Sequence, residues 1–484
     1  MHKSKEVKLM ATAIDDVARQ EPDRVFAEFL QPAHLDQDIL VLSFGMLANS
    51  IDRLAWWLKD RCRELGLGRF DTVAYVGFAD MRYCLLLLAA TKCHVTLLIT
   101  APSNDTTAHL SLMRQTNCKA FFYTDEFIVP DLMAACSLCC VALPHIRTLL
   151  DATPVSHFPY GRSLEDGADD PIVYFHTSGT TGFPKPILWT NTWPVHPIDR
   201  PNSENKPPRR MLSSLSAYLM SMSRTIVRPV YLNTTCVIPP LHLAAGEYTA
   251  EAMTRWIQQS RCEYLSVFPS WLVLAAENDA HLSQLRKLKG ITFGGGPLAP
   301  HVAEQLVGHV CLTTIWGATE MPWTPCYRVD DADCEYMCID DKTLGIEWRH
   351  FSGNNHELVV VRDDTLPRQQ LIFQVFPDEK EHSMKDLFIR HQTKPHHWKF
   401  AGRADDNIIL TNGQNINPTG FEEAVSKHEL VKSVVVLGTG RPSPCMVLEL
   451  HDETDSELQV DQIWPTVQAA LRGRQTYDLV HSQG

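Results

Sequence analysis

The densest chemistry in the chain lies in Tyr174-Phe175-His176-Thr177-Ser178-Gly179-Thr180-Thr181-Gly182-Phe183-Pro184-Lys185-Pro186, which continues directly from the apolar run Ile172-Val173. Four hydroxyls within five residues supply donors, and two glycines permit unusual backbone angles. Exposed N–H groups can form an anion nest, and a lysine closes the loop. That chemistry suits a triphosphate. A Walker-type loop requires G-x-x-x-x-G-K-[ST], whereas Lys185 stands between Pro184 and Pro186, so a P-loop is not supported. Other reactive residue types carry less. Cys136 and Cys139 form a C-x-x-C that runs on into Cys140-Val141-Ala142-Leu143, a context of core packing in which no low-pKa environment is visible. His391, His396 and His397 lack metal-ligand spacing and read as a solvated loop, as does the Arg209-Arg210 pair.

The elements that must position these residues follow from periodicity. Phe44, Leu47, Ala48, Ile51, Leu54, Ala55 and Leu58 have helical spacing, with Ser43 as N-cap and Gly66 near the end. Tyr83 to Thr100 is the most apolar stretch, but Lys92 and His94 interrupt it, so it reads as a buried helix followed by a strand rather than a membrane span. Short apolar runs at 72–76, 120–123, 172–175, 264–268 and 290–293 alternate with helical stretches, which predicts an α/β fold with buried, mostly parallel strands. Pro194 to Arg210 is proline-rich and reads as an exposed loop within one domain. After Gly402-Arg403-Ala404-Asp405-Asp406, two β-rich runs, Val431 to Leu437 and Met446 to Leu450, point to a small α+β lobe. The expected domains are 1–400 and 401–484.

Composition narrows the class. The 484 residues are 44% hydrophobic and 21% charged, as in ordinary globular proteins, which excludes a largely disordered chain. A net charge of -13 repels a phosphate backbone, so neither nucleic acid nor an acidic membrane is an expected partner. The N-terminal residues lack the apolar core of a secretory signal, and the 14 cysteines show no paired zinc pattern, so reduced thiols and a cytoplasmic setting are expected.

The loop as a whole resembles the phosphate-binding signature of adenylate-forming enzymes, the superfamily of acyl-CoA synthetases, luciferases and peptide-synthetase adenylation domains. Other segments follow in that family's order. Phe293-Gly294-Gly295-Gly296-Pro297-Leu298 looks like its glycine turn beside the adenine and acyl pocket, and Trp316-Gly317-Ala318-Thr319-Glu320 is similar to its aromatic-G-x-T-E motif. The resemblance implies that ATP and Mg²⁺ are bound. His176, Thr177, Ser178, Gly179, Thr180, Thr181, Gly182 and Lys185 would surround the β- and γ-phosphates, Thr319 would contact the α-phosphate and Glu320 would hold the metal through a hard carboxylate oxygen. Asp386 and Arg403 would hold the ribose, and Asp405 would be the hinge of a mobile C-terminal domain. The acyl pocket would include Ser216, Ala217, Phe268, Trp271, Gly294 and Met321. Trp398 to Asp406 and Ile463-Trp464-Pro465 are similar to fungal peptide-synthetase-like modules of carboxylic acid reductase type. The implied reaction is activation of an organic carboxylic acid to an acyl-adenylate, with a separate carrier protein or CoA as acceptor.

Three departures stand against that pattern. The family's T-G-D is Met384-Lys385-Asp386, which puts the shape of the turn in question. The His-Ala-x-Gly-like segment is degraded to Ser213-Ser214-Leu215-Ser216-Ala217-Tyr218, and His242-Leu243-Ala244-Ala245-Gly246 reads as a coincidental match. No lysine follows Lys432, where the family places one that neutralises charge at the transition state, and the chain reads as C-terminally truncated. Loss of one preorganised charge contact costs about 10²- to 10³-fold in rate, so a weakly active or purely binding homologue is the alternative, beside a stand-alone acyl-CoA ligase.

Overall fold

The computed structural model describes residues 8–471 apart from 31–38, 79, 128, 178–183, 194–209, 214–221, 233, 241–248, 322–323, 325, 328, 368, 406–407, 410–414, 417, 439–440, 442 and 452–455. The chain forms two compact units. One comprises Met1–Gly345, Val361–Lys380 and Thr393–Trp398, the other Ile346–Val360, Glu381–Gln392 and Lys399–Gly484.

The strands of the first unit begin with β1 (Val25–Phe29), β2 (Leu40–Ser43), β3 (Thr72–Tyr75), β4 (Thr96–Ile99), β5 (Ala120–Tyr123) and β6 (Cys139–Ala142). They continue with β7 (Pro171–His176), β8 (Pro186–Thr190), β9 (Arg210–Ser213), β10 (Thr235–Ile238), β11 (Tyr264–Val267), β12 (Gly290–Gly294) and β13 (Cys311–Ile315). One sheet has the order β6-β5-β3-β4-β7-β8, the other β13-β12-β11-β9-β10-β1-β2. Both are parallel except at one edge, where β8 runs against β7 and β2 against β1. All five strand runs expected from the sequence are present.

Helices α1 (Met10–Gln20), α2 (Phe44–Leu65), α3 (Arg82–Lys92) and α4 (Thr106–Gln115) belong to this unit. Ser43 caps α2 by accepting from the Met46 N–H at 3.3 Å, and Gly66 ends it with a φ of 65°, a conformation glycine adopts without a Cβ penalty. The apolar stripe Phe44, Leu47, Ile51, Leu54, Ala55 and Leu58 is buried, as its spacing predicts. Every residue of α3 is buried. Its leucines each stabilise the fold by about 1.5–3 kcal/mol relative to exposure, and the one lysine is matched. Lys92 Nζ donates to Asp15 Oδ1 of α1 at 2.8 Å and to Asp52 Oδ1 of α2 at 2.7 Å. Removing Lys92 would leave two buried carboxylates without their cation. No helix among the described residues is long and apolar enough to cross a membrane.

The second unit has the antiparallel pair Ile346–Ser352 and Asn355–Val361, and the hairpin Val431–Leu437 with Cys445–Leu450. Helices Thr419–Val425 and Ser456–Leu471 accompany that hairpin, and Phe421, Val425, Val431, Ile463 and Val467 form a small separate core. The fold is thus α/β with parallel-rich sheets and a small α+β portion, the class read from the sequence.

Two sequence expectations need correction. Arg210 is not a solvated charge. It opens β9, and its Nη1 donates to Glu28 Oε1 of β1 at 2.9 Å, because the sheet's interior position gives the guanidinium a carboxylate in reach. The C-x-x-C is not uniformly core. Cys140 packs against the cluster containing Phe121 and Leu132, while Cys139 is exposed, as the alternation of an edge strand requires. Residues 194–209 of the proline-rich run, Ser216, Ala217 and His242 lie outside the described residues.

Candidate functional site

The hydroxyl-rich segment connects two antiparallel strands. His176 ends β7 opposite Pro186 of β8, and the Thr177 N–H donates to the Lys185 oxygen at 3.1 Å, so backbone pairing closes the base of the loop. Ser178, Gly179, Thr180, Thr181 and Gly182 lie outside the described residues. Lys185 is exposed and makes no ion pair among the described residues, which leaves its ammonium available to an anion. The loop emerges at the carboxyl end of a parallel sheet, the end at which α/β folds place ligands. His176 faces sideways. Its Nε2 accepts the Ala101 N–H at 3.0 Å and its Nδ1 lies 3.2 Å from the Thr177 oxygen. Burial holds the imidazole below the ordinary histidine pKa, favouring the neutral ring.

In the other sheet, β11, β12 and β13 are parallel neighbours, so their carboxyl ends bring Phe268, the glycine run and the Trp316 segment to one edge. The glycines have distinct reasons. A Cβ on Gly294 would lie 2.7 Å from the Ile315 oxygen of β13, whereas Gly295 has a φ of 87° and sits against the Phe268 ring, 3.2 Å from where its own Cβ would be. Trp271 follows in the helix Pro269–Ala276, with its ring 6.0 Å from that of Trp256. Gly296 and Pro297 continue the turn beyond Gly295.

After β13, Ala318 and Met321 exchange two backbone hydrogen bonds of 3.0 Å, which sets Thr319 and Glu320 at the tip of a tight turn. Trp316 and Met321 are buried on either side of it, Gly317 is exposed, and Thr319 and Glu320 are half-buried. Glu320 has no cationic partner among the described residues, so its carboxylate could hold a hard divalent ion. Sequence reasoning missed Trp189. Its indole N–H donates to the Thr319 oxygen at 2.8 Å, joining β8 to this turn. No sequence signal pointed to it, since a tryptophan in an apolar strand reads as core.

In the second unit, Asp386 is buried and accepts from Arg403 Nη1 at 3.0 Å, while Arg403 Nη2 lies 3.3 Å from Asp405 Oδ2. Arg403 Nε is buried without a hydrogen-bond partner among the described residues, an orphan donor that fits a polar ligand. Lys385, at the position where glycine was expected, lies within the strand Glu381–Arg390 with a φ of 60°, so a left-handed backbone position before Asp386 is kept without glycine.

The architecture is that of adenylate-forming enzymes. It superposes on acetoacetyl-CoA synthetase from Streptomyces lividans with a TM-score of 0.73 at 15% identity, over 96% of this chain and 77% of that one. It also matches O-succinylbenzoate coenzyme A synthetase from Bacillus subtilis, solved with AMP, with a TM-score of 0.70 at 16% identity over 94% and 91% of the two chains. The chain belongs to the AMP-binding enzyme family: that family's profile matches residues 14–343, and the profile of the AMP-binding enzyme C-terminal domain matches 405–482. Among named relatives, carboxylic acid reductase of Neurospora crassa is 30% identical over 95% of this chain and 46% of its own length. An isocyanide synthase–NRPS hybrid of Aspergillus fumigatus is 28% identical over 96% of this chain and 30% of its own. The chain is therefore an adenylate-forming superfamily member of NRPS-like type, and it spans less than half the length of these relatives.

Proposed function

We propose that the chain activates an organic carboxylic acid with ATP. A carboxylate oxygen attacks the α-phosphorus, the bond from that phosphorus to the bridging oxygen breaks, and pyrophosphate leaves with its electron pair, giving an acyl-adenylate. Positioning and charge stabilisation are the protein's contribution. In this reading Thr177, Ser178, Thr180, Thr181 and Lys185 take the β- and γ-phosphates, Thr319 the α-phosphate, and Asp386 and Arg403 the ribose. The acid lies beside Phe268, Gly294 and Met321. Mg²⁺ would be held by Glu320 and would supply charge neutralisation of the phosphates. We further assign residues 401–484 as a mobile domain hinged at Asp405, a carrier protein or CoA as acceptor, and a cytoplasmic role in secondary metabolism.

The observation that carries the reading is the backbone-closed hairpin from Thr177 to Lys185 at the carboxyl end of a parallel sheet, with an exposed lysine unpaired among the described residues. The decisive experiment is pyrophosphate release from Mg-ATP across aryl, α-keto and fatty acids, with hydroxylamine trapping the adenylate. Acid-dependent release supports the reading and names the acid class; ATP binding with no release from any acid would sink it.

A further inference from the structure

The turn after β4 holds His176 through a chain of polar groups. Parallel pairing of β4 with β7 (Leu97 with Val173, Leu98 with Tyr174) sets the two strand ends side by side. The Ala101 N–H can only donate, so at 3.0 Å it requires His176 Nε2 to be the unprotonated nitrogen. The neutral ring then carries its proton on Nδ1 and donates it to the Thr177 oxygen at 3.2 Å. Asn104 Nδ2 reinforces the arrangement, donating to Thr100 Oγ1 at 2.9 Å and lying 3.4 Å from His176 Nε2. The Thr100 hydroxyl, with that lone pair occupied, has its proton for His109 Nδ1 at 2.9 Å. Thr100 and His109 are both buried, and Asp105 fixes the start of α4 by accepting the Ala108 N–H at 2.7 Å.

Thr177 is the residue on which the loop is built: its N–H closes the base on Lys185 and its oxygen receives His176. We propose that His176 is a positioning residue, which as the Nδ1–H tautomer clamps the Thr177 carbonyl and so fixes the strand end from which the loop leaves, with Ala101, Asn104, Thr100 and His109 holding that tautomer. This rests on the assignment of the loop to the triphosphate and deepens it, because it makes the β4–α4 turn part of the nucleotide site. Both ring nitrogens are engaged by the protein, so the imidazole acts through Thr177 rather than on phosphate. A second proton on the ring would set an N–H against the Ala101 N–H. The titratable groups facing it across the turn are His109 and, at the cap of α4, Asp105.

Two substitutions separate the contacts. In His176→Asn the side-chain amide can still donate to Thr177, and the Ala101 contact is lost. In His176→Gln the amide oxygen can still accept from Ala101, and the Thr177 clamp is lost. Mg-ATP titration calorimetry, steady-state pyrophosphate release and thermal unfolding would be measured on both variants and on the unaltered protein. The expected result is ATP affinity about 3- to 10-fold weaker in H176Q, with KM for ATP raised and kcat little changed. H176N should stay nearer to the unaltered protein in affinity while losing at least as much thermal stability. A side chain that only supports the fold would rank the variants alike in stability and affinity. That ranking, or H176Q binding ATP as well as the unaltered protein, would overturn the proposal alone. Failure of the unaltered protein to bind Mg-ATP would overturn the nucleotide assignment, and this proposal with it.

Discussion

The indole N–H of Trp189 donates to the main-chain oxygen of Thr319 across 2.8 Å, although 130 residues separate them. Trp189 is buried on β8, just past the hydroxyl-rich loop, and Thr319 sits at the tip of the turn that carries Glu320. One hydrogen bond thus ties the strand leaving the loop in one sheet to the acidic turn that follows the other. Phe175 and Trp193 hold the indole in place, with ring centroids 4.7 Å and 4.5 Å away.

Replacing Trp189 by Phe keeps an aromatic body between those rings and removes the donor. The Thr319 residue is half-buried, so the loss is that of a typical hydrogen bond, about 0.5–1.5 kcal/mol, which unfolding in denaturant should show. If the turn must be held for Thr319 and Glu320 to act, kcat for pyrophosphate release should fall as well. Equal kcat in the variant, with the stability loss present, would reduce Trp189 to a packing residue.

Lys185 and Glu320 are separable by readout. Lys185→Ala should weaken Mg-ATP binding about tenfold, the equivalent of about 1.4 kcal/mol, measured by titration calorimetry. Glu320→Gln keeps size and removes the charge that suits a divalent ion, so the Mg²⁺ concentration for half-maximal turnover should rise. Unchanged ATP affinity in the first variant, or an unchanged Mg²⁺ requirement in the second, would remove the residue from its assigned role.

Lys385 has a φ of 60° immediately before Asp386, and its oxygen accepts the Ala404 N–H at 2.6 Å. An L-residue in this region carries a penalty of roughly 1–2 kcal/mol, which glycine avoids at the expense of greater unfolded-state freedom. Lys385→Gly should therefore be neutral to stabilising by about 1 kcal/mol, and Lys385→Val clearly destabilising. Thermal unfolding of the two variants checks this, and the opposite order would mean that Lys385 is not left-handed in solution.

His109 provides a pH test of stability. Burial is the main cause that lowers its pKa to about 4, with His176 adding to it. An unfolded histidine takes up a proton near 6.5, which the folded ring resists, so folding is favoured by the full amount above 6.5. Stability should decline as pH falls from about 6.5 to about 4, by on the order of 3 kcal/mol for this one group. His109→Gln should flatten that limb of the stability profile, measured by denaturant unfolding at several pH values. An identical slope in the variant would refute the assignment.

Much of this protein is legible in its sequence because the information is local. Ser43, the apolar stripe from Phe44 to Leu58 and Gly66 specify α2 within one segment. Buried parallel strands announce themselves as short apolar runs between turn residues. The hydroxyl loop, the glycine run and the Trp316–Glu320 turn are each contiguous, so their chemistry could be read before their positions were known. Lys385 shows the limit of such reading. A glycine consensus is broken in sequence, yet the left-handed backbone position is kept, with the ion pair of Asp386 to Arg403 and the hydrogen bond to Ala404 made by residues of a later segment.

What only the tertiary structure decided are the contacts between segments. Lys92 looked like an interruption of an apolar stretch, and it is a buried cation matched by Asp15 and Asp52 from two other helices. Trp189 meets Thr319, and His176 meets Ala101, because two parallel sheets order their strands differently from the chain. In such sheets a crossover separates neighbours by many residues. Hydrogen bonding between strand ends is therefore set by sheet order and register, and composition or spacing in a single segment carries no trace of it.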